Sequence, residues 1–142
     1  GKKAFSGCKR LKEINVPESV TEIGYGAFEN CELIGTDGDF ILPGGVAKIE
    51  PFAFRKCSGL GRMEIPEGVT EIGEAAFSGC SKLATLELPQ GVTTIGKEAF
   101  SRCSEIRELV IPNGVKHLDE NIYHISGAKS CLTLIHQSLA AY

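Results

Sequence analysis

Apolar and polar positions follow a fixed order that returns every 23 residues. Between residues 60 and 80 the apolar set is Leu60, Met63, Ile65, Val69, Ile72, Ala76, Phe77 and Cys80, separated by charged or small polar residues. The set returns as Leu83, Leu86, Leu88, Val92, Ile95, Ala99, Phe100 and Cys103, and again as Ile106, Leu109, Ile111, Val115 and Leu118. Three residue types keep the same phase: Phe5, Phe28, Phe54, Phe77 and Phe100; Cys8, Cys31, Cys57, Cys80 and Cys103; Pro17, Pro43, Pro66, Pro89 and Pro112. One step in each series is 26 rather than 23, which places three extra residues between Cys31 and Pro43. A period of this length marks a solenoid, whose coils bury their apolar sides only by stacking. The 142 residues divide into about six coils of a single domain. Residues 1–10 are a partial first repeat, 11–118 are regular repeats with the insertion near 35–39, and 119–142 are a degenerate last repeat or cap.

The pattern within a unit predicts its elements. Met63 and Ile65 alternate with outward residues, which is strand periodicity. Pro66-Glu67-Gly68-Val69 follows, and recurs at 89–92 and 112–115. Proline at the second position and glycine at the fourth suit a type I turn, and proline without an N–H ends the ladder. Val69 and Ile72 point inward, with Thr70 and Glu71 outward. Gly73 then opens a short helical turn, Glu74 to Cys80, in which Ala76, Phe77 and Cys80 share one face. The expected architecture is α/β. It has a parallel β-sheet on one face, short helical turns on the other, and each phenylalanine lying on that of the coil below.

The ends differ from the middle. Residues 1–10 match the tail of a unit with no strand before it, which predicts an uncapped end covered by preceding protein or by another copy. After Val115 the pattern decays as a cap does: Asp119, Ile122 and Ser126 replace glycine, alanine and cysteine, and 136–142 reads as helical. His117, His124 and His136 all fall there, without the shared spacing a zinc site needs.

Composition narrows the chemistry. The net charge of −3 and the lack of a basic run argue against nucleic acid. No apolar segment reaches a membrane-spanning length, and no signal peptide is legible. Five of the six cysteines hold one inward column, which suits small buried hydrophobes better than disulfides, and no Cys-x-x-Cys pair suggests a metal. Cys131 is the exception, an outward thiol expected to react with reagents. Asp37-Gly38-Asp39 in the insertion lacks the spacing of a calcium loop. Neither a catalytic triad order, a phosphate loop nor a paired-carboxylate motif is present, so no catalytic residue, cofactor or metal ligand is assigned.

The unit Cys57-x-x-Leu60-x-x-Met63-x-Ile65-Pro66-x-x-Val69-x-x-Ile72-Gly73-x-x-Ala76-Phe77-x-x-Cys80, repeated at 80–103, resembles the BspA-like class of leucine-rich repeats. The resemblance covers about residues 4–123. It implies a right-handed leucine-rich-repeat solenoid with a parallel sheet on one face. It also implies a cell-surface or secreted protein of a host-associated bacterium or parasitic protist, of a kind thought to act in adhesion, with no catalytic residues to carry over.

Binding residues are sought on the outward strand positions. One expected column is Glu13, Asp39, Arg62, Thr85 and Glu108; its neighbour is Asn15, Ile41, Glu64, Glu87 and Val110. Five of these ten residues are acidic and one is basic. Two readings fit: a docking face for a basic protein or a cation, or a solubilising face that discourages sheet aggregation. Tyr25 and Phe52, on neighbouring coils beside Pro51, form a second candidate patch, or else local packing against the insertion. The expected function is a non-catalytic protein-interaction module that binds a protein, possible partners including a host protein. The alternative is a structural spacer that self-associates through its uncapped end.

Overall fold

The structure, a computed structural model, describes residues 1–38 and 40–118 and the backbone of Thr133–His136. Asp39, the histidine at 124, Cys131 and the expected C-terminal helix lie outside the described residues.

From Phe40 to Leu118 each coil contributes two short strands, not one. The front sheet takes the strands that precede each proline: β2 (Phe40–Ile41), β4 (Arg62–Glu64) and β6 (Thr85–Glu87), all parallel. In the next coil β8 (Glu108–Ile111) packs beside β6 and pairs with β10 (Thr133–His136). The strands that follow each proline turn build a separate lateral sheet: β1 (Glu22–Ile23), β3 (Lys48–Ile49), β5 (Glu71–Ile72), β7 (Thr94–Ile95) and β9 (His117–Leu118), again parallel and in sequential order. The lateral sheet was not foreseen, because two outward residues between Val69 and Ile72 leave too short an alternation to read as a strand. Its five strands mark four full turns, against the six coils counted from length. The first coil carries no strand, and most of the last lies outside the described residues.

The corner between the two sheets is the proline turn. The Val69 N–H donates to the Pro66 carbonyl at 3.1 Å, and Val46, Val92 and Val115 repeat the bond. Proline is therefore the first residue of the turn and glycine the third, one place earlier than expected. The glycine there has no positive φ, and a Cβ on Gly68 would meet nothing closer than 3.7 Å. That permissiveness explains why Ser19 takes the place in the second coil.

The return segment is not helical; the described residues contain no helix at all. Ala76, Ser78 and Cys80 donate to the carbonyls three residues back, at 3.1–3.2 Å. The alternate amides of Ala75, Phe77 and Gly79 donate instead to Lys97, Ala99 and Ser101 of the next coil, at 2.8–2.9 Å. Ala75 and Gly79 adopt left-handed φ values of 52° and 79°. A helix needs every amide for its own ladder and no left-handed residue inside it. Here the next coil takes half of them, so the segment becomes successive tight turns that tie coils together.

The core is one column. Phe5, Phe28, Phe54, Phe77 and Phe100 stack as expected, with ring centroids 5.3–5.7 Å apart and planes within 8°. Phe40, at the strand position held elsewhere by Met63, Leu86 and Leu109, packs edge-on against Phe28 and Phe54. Beside the rings, Cys31, Cys57, Cys80 and Cys103 each direct a thiol to the carbonyl of Phe5, Phe28, Phe54 or Phe77 at 3.1–3.2 Å. These thiols and that of Cys8 are free.

Candidate functional site

The front strands point Met63, Leu86 and Leu109 into the core and their neighbours out, because strand side chains alternate. The parallel register stacks Arg62 on Thr85 and Ile41, Glu64 and Glu87 on one another. All of these are exposed, as are Glu108 and Val110 one coil further on. Together with Gln90, five of them line a groove of about 710 Å³. It continues over Glu87, Gln90, Glu108 and Val110.

The structure thus brings together seven of the ten expected residues. Glu13 and Asn15 are exposed but belong to no strand. Ahead of β2 the three extra residues turn the chain on itself, with the Thr36 N–H donating to Leu33 and the Gly35 N–H to Lys12, so the ladder begins at Phe40. Both residues still border Ile41 in a smaller adjoining hollow. Gln90 and Glu67, on the proline turns, extend the groove and were missed. Their signal was present in the same period, one place after Pro89 and Pro66.

Electrostatics separate the two sheets. On the lateral sheet the outward column is Glu22, Lys48, Glu71, Thr94 and His117. Lys48 sits 3.2 Å from Glu71 and 3.3 Å from Glu50, and these two bonds hold its ammonium above the ordinary lysine range. Two acids of that face thus share one lysine, while Glu22 has no ion pair among the described residues. On the front sheet Glu64 lies directly beside Glu87, and like charges at strand spacing repel. Arg62 reaches Glu64 at 3.5 Å, whereas Glu87 has no ion-pair partner among the described residues. Ile41 lies open beside them at 65% exposure.

Tyr25 and Phe52 do meet, edge to face, with centroids 5.3 Å apart. They pack against cations of their own chain, Lys2 over Tyr25 at 5.6 Å and Arg55 over Phe52 at 5.7 Å. No group of three His, Cys, Asp or Glu side chains that could hold a metal occurs among the described residues, and no described helix is long and apolar enough to cross a membrane.

The profile of the BspA type leucine-rich repeat region matches the chain in six copies, over residues 1–38 and 37–135. The chain belongs to the BspA type leucine-rich repeat family. Among solved structures, the leucine-rich repeat protein of T. pallidum is 34% identical and superposes with a TM-score of 0.82, over 95% of this chain and 59% of that one. A leucine-rich repeat protein from Bacteroides ovatus is 26% identical with a TM-score of 0.73, over 96% of this chain and 42% of that one. A leucine-rich cell surface protein from Faecalibacterium prausnitzii is 26% identical with a TM-score of 0.72, over 84% of this chain and 33% of that one. The chain thus spans less than two thirds of each of these three relatives. No curated protein sequence matches it. These BspA type repeats fold as a parallel-strand β-solenoid and are generally protein-interaction or surface modules, typically without catalysis.

Proposed function

We propose that this chain is a non-catalytic protein-interaction module of a cell-surface or secreted protein, and that it docks its partner on the front sheet. One observation carries the reading. The front groove leaves Glu87 without an ion pair among the described residues and Ile41 open to solvent, while on the lateral sheet, built at the same spacing, Lys48 bridges Glu50 and Glu71. Ile41 stands exposed at the end of the acidic column, beside Glu64, so the face offers an apolar contact next to its charges. The relative from Faecalibacterium prausnitzii is a cell surface protein, which favours the same setting here. Adhesion to a host protein is the use such a module suits best.

The test is binding of the purified chain to a panel of extracellular-matrix proteins and host glycans, beside the Glu64→Lys/Glu87→Lys variant. Saturable binding to a protein, lost in a variant with an unchanged circular-dichroism melt, supports the reading. Binding retained in the variant sinks it.

A second reading, a self-associating spacer, is favoured by a different feature. The first coil leaves an apolar hollow of about 320 Å³ lined by Phe5, Ile14, Val16, Val20, Ile23 and Phe28. Sedimentation that rises with concentration, and is abolished by Val16→Glu, would place function at that end instead.

A further inference from the structure

The front groove has a spacing that selects among possible partners. Along the solenoid axis Ile41, Glu64, Glu87 and Val110 succeed one another, one per coil. With paired strands about 4.8 Å apart, Ile41, Glu64 and Glu87 stand at about 0, 5 and 10 Å, and Val110, on β8 packed beside β6, follows at about 14 Å for the same coil spacing. An extended polypeptide laid along this axis turns every second side chain to the sheet, about 6.7 Å apart. Side chains i, i+2 and i+4 then fall at about 0, 7 and 13 Å: over Ile41, midway between the two carboxylates, and over Val110.

We propose that the groove takes an extended segment of a partner protein that carries an apolar residue, then an arginine or lysine two places on, then a second apolar residue two places beyond. This rests on the docking-face reading above and adds the partner's chemistry. A cation midway between Glu64 and Glu87 reaches both carboxylates and relieves their mutual repulsion. The aliphatic side chains at the two ends, Ile41 at 65% and Val110 at 38% exposure, are covered in the same step. Thr85 and Gln90 along the groove offer polar groups to the partner's backbone. The lateral sheet has the same coil spacing but cannot act alike, because Lys48 already bridges Glu50 and Glu71.

The experiment titrates the whole chain, at near-physiological salt, with two synthetic peptides of one composition in a common serine-rich frame. One contains Val-Thr-Arg-Thr-Val and the other Val-Thr-Thr-Arg-Val. Backbone amide shifts report affinity and location. The first peptide is expected to bind about tenfold tighter than the second and to move the amides of Thr85 and Glu87. Glu87→Gln removes the preference, and Glu71→Gln on the lateral sheet leaves it intact. Equal or undetectable binding of the two peptides overturns the proposal, as does an equal effect of Glu71→Gln. The two levels fail separately. Protein binding lost in Glu64→Lys/Glu87→Lys without any peptide preference keeps the docking face and removes the spacing rule. Peptide preference with protein binding unaffected by that variant does the reverse.

Discussion

Cys80 is enclosed by its own column, with its thiol directed at the Phe54 carbonyl 3.2 Å away. Burial, first of all, pushes the buried thiols up: Cys31 to about 11, Cys103 to about 12, and Cys57 and Cys80 well above the ordinary range. The consequence for stability has a definite sign. An unfolded thiol ionises near 8.5, while these stay protonated in the fold. The stabilisation is therefore complete below about pH 8.5 and is lost as pH rises toward the folded values. A thiol buried as Cys103 is costs about 1.4 kcal/mol per pH unit across that window. Thermal melts taken upward from pH 8 are expected to fall steeply, and a Cys103→Ala background to soften the slope; a flat profile would contradict the buried ladder. Phe77→Ala removes a fully buried ring from the stack and should cost about 3–5 kcal/mol in urea unfolding. Cys80→Ser is expected to be milder. An acceptor already waits for the hydroxyl, so a cost of about 1–2 kcal/mol is expected.

Two glycines of one repeat are not equivalent at the level of the element. Gly68 in the proline turn has room for a Cβ at ordinary contact distance, and Gly68→Ser should change stability by less than about 0.5 kcal/mol. Gly73, which follows β5, has the backbone of Glu50 and Pro51 where its Cβ would go. Gly73→Ala must push two coils apart, at a cost of about 1–3 kcal/mol in the same assay. Glu50 holds the equivalent place one coil earlier, so the demand is set by how closely each pair of coils approaches. Both glycines were visible as repeat positions; their difference was not, because clearance depends on the neighbouring coil. The return segment carries the same lesson. Ala76, Phe77 and Cys80 were rightly placed on one buried face, but tight turns and helical turns bury those positions alike. Only the inter-coil bonds from Ala75, Phe77 and Gly79 tell them apart.

At the scale of the whole molecule the front and lateral sheets differ in how their acids are paired. If the stacked acids of the front sheet serve binding, they do so against stability. Glu87→Gln is therefore expected to raise the melt, by about 0.2–1 kcal/mol, while weakening partner binding. Glu71→Gln on the lateral sheet should lower it, since Lys48 loses a bonded partner. A pair of melts with the opposite signs would leave the charge contrast between the sheets without consequence.

The period, the inward columns of phenylalanine and cysteine, the position of the insertion and most of the front face were legible in the sequence alone. Each is a property of one unit repeated, so spacing along the chain maps directly onto stacking in space. Tertiary structure alone decided the rest. The lateral sheet exists because two-residue strands pair with their copies in adjoining coils, a stabilisation no single unit displays. The charge bridge on that sheet depends on Lys48 lying between Glu50 and Glu71, an arrangement made only once the coils stack. That Lys2 and Arg55 lie over the rings of Tyr25 and Phe52 could not be read from spacing along the chain. A repeat announces what each coil does for itself, while contacts between coils that differ from one another emerge only in three dimensions.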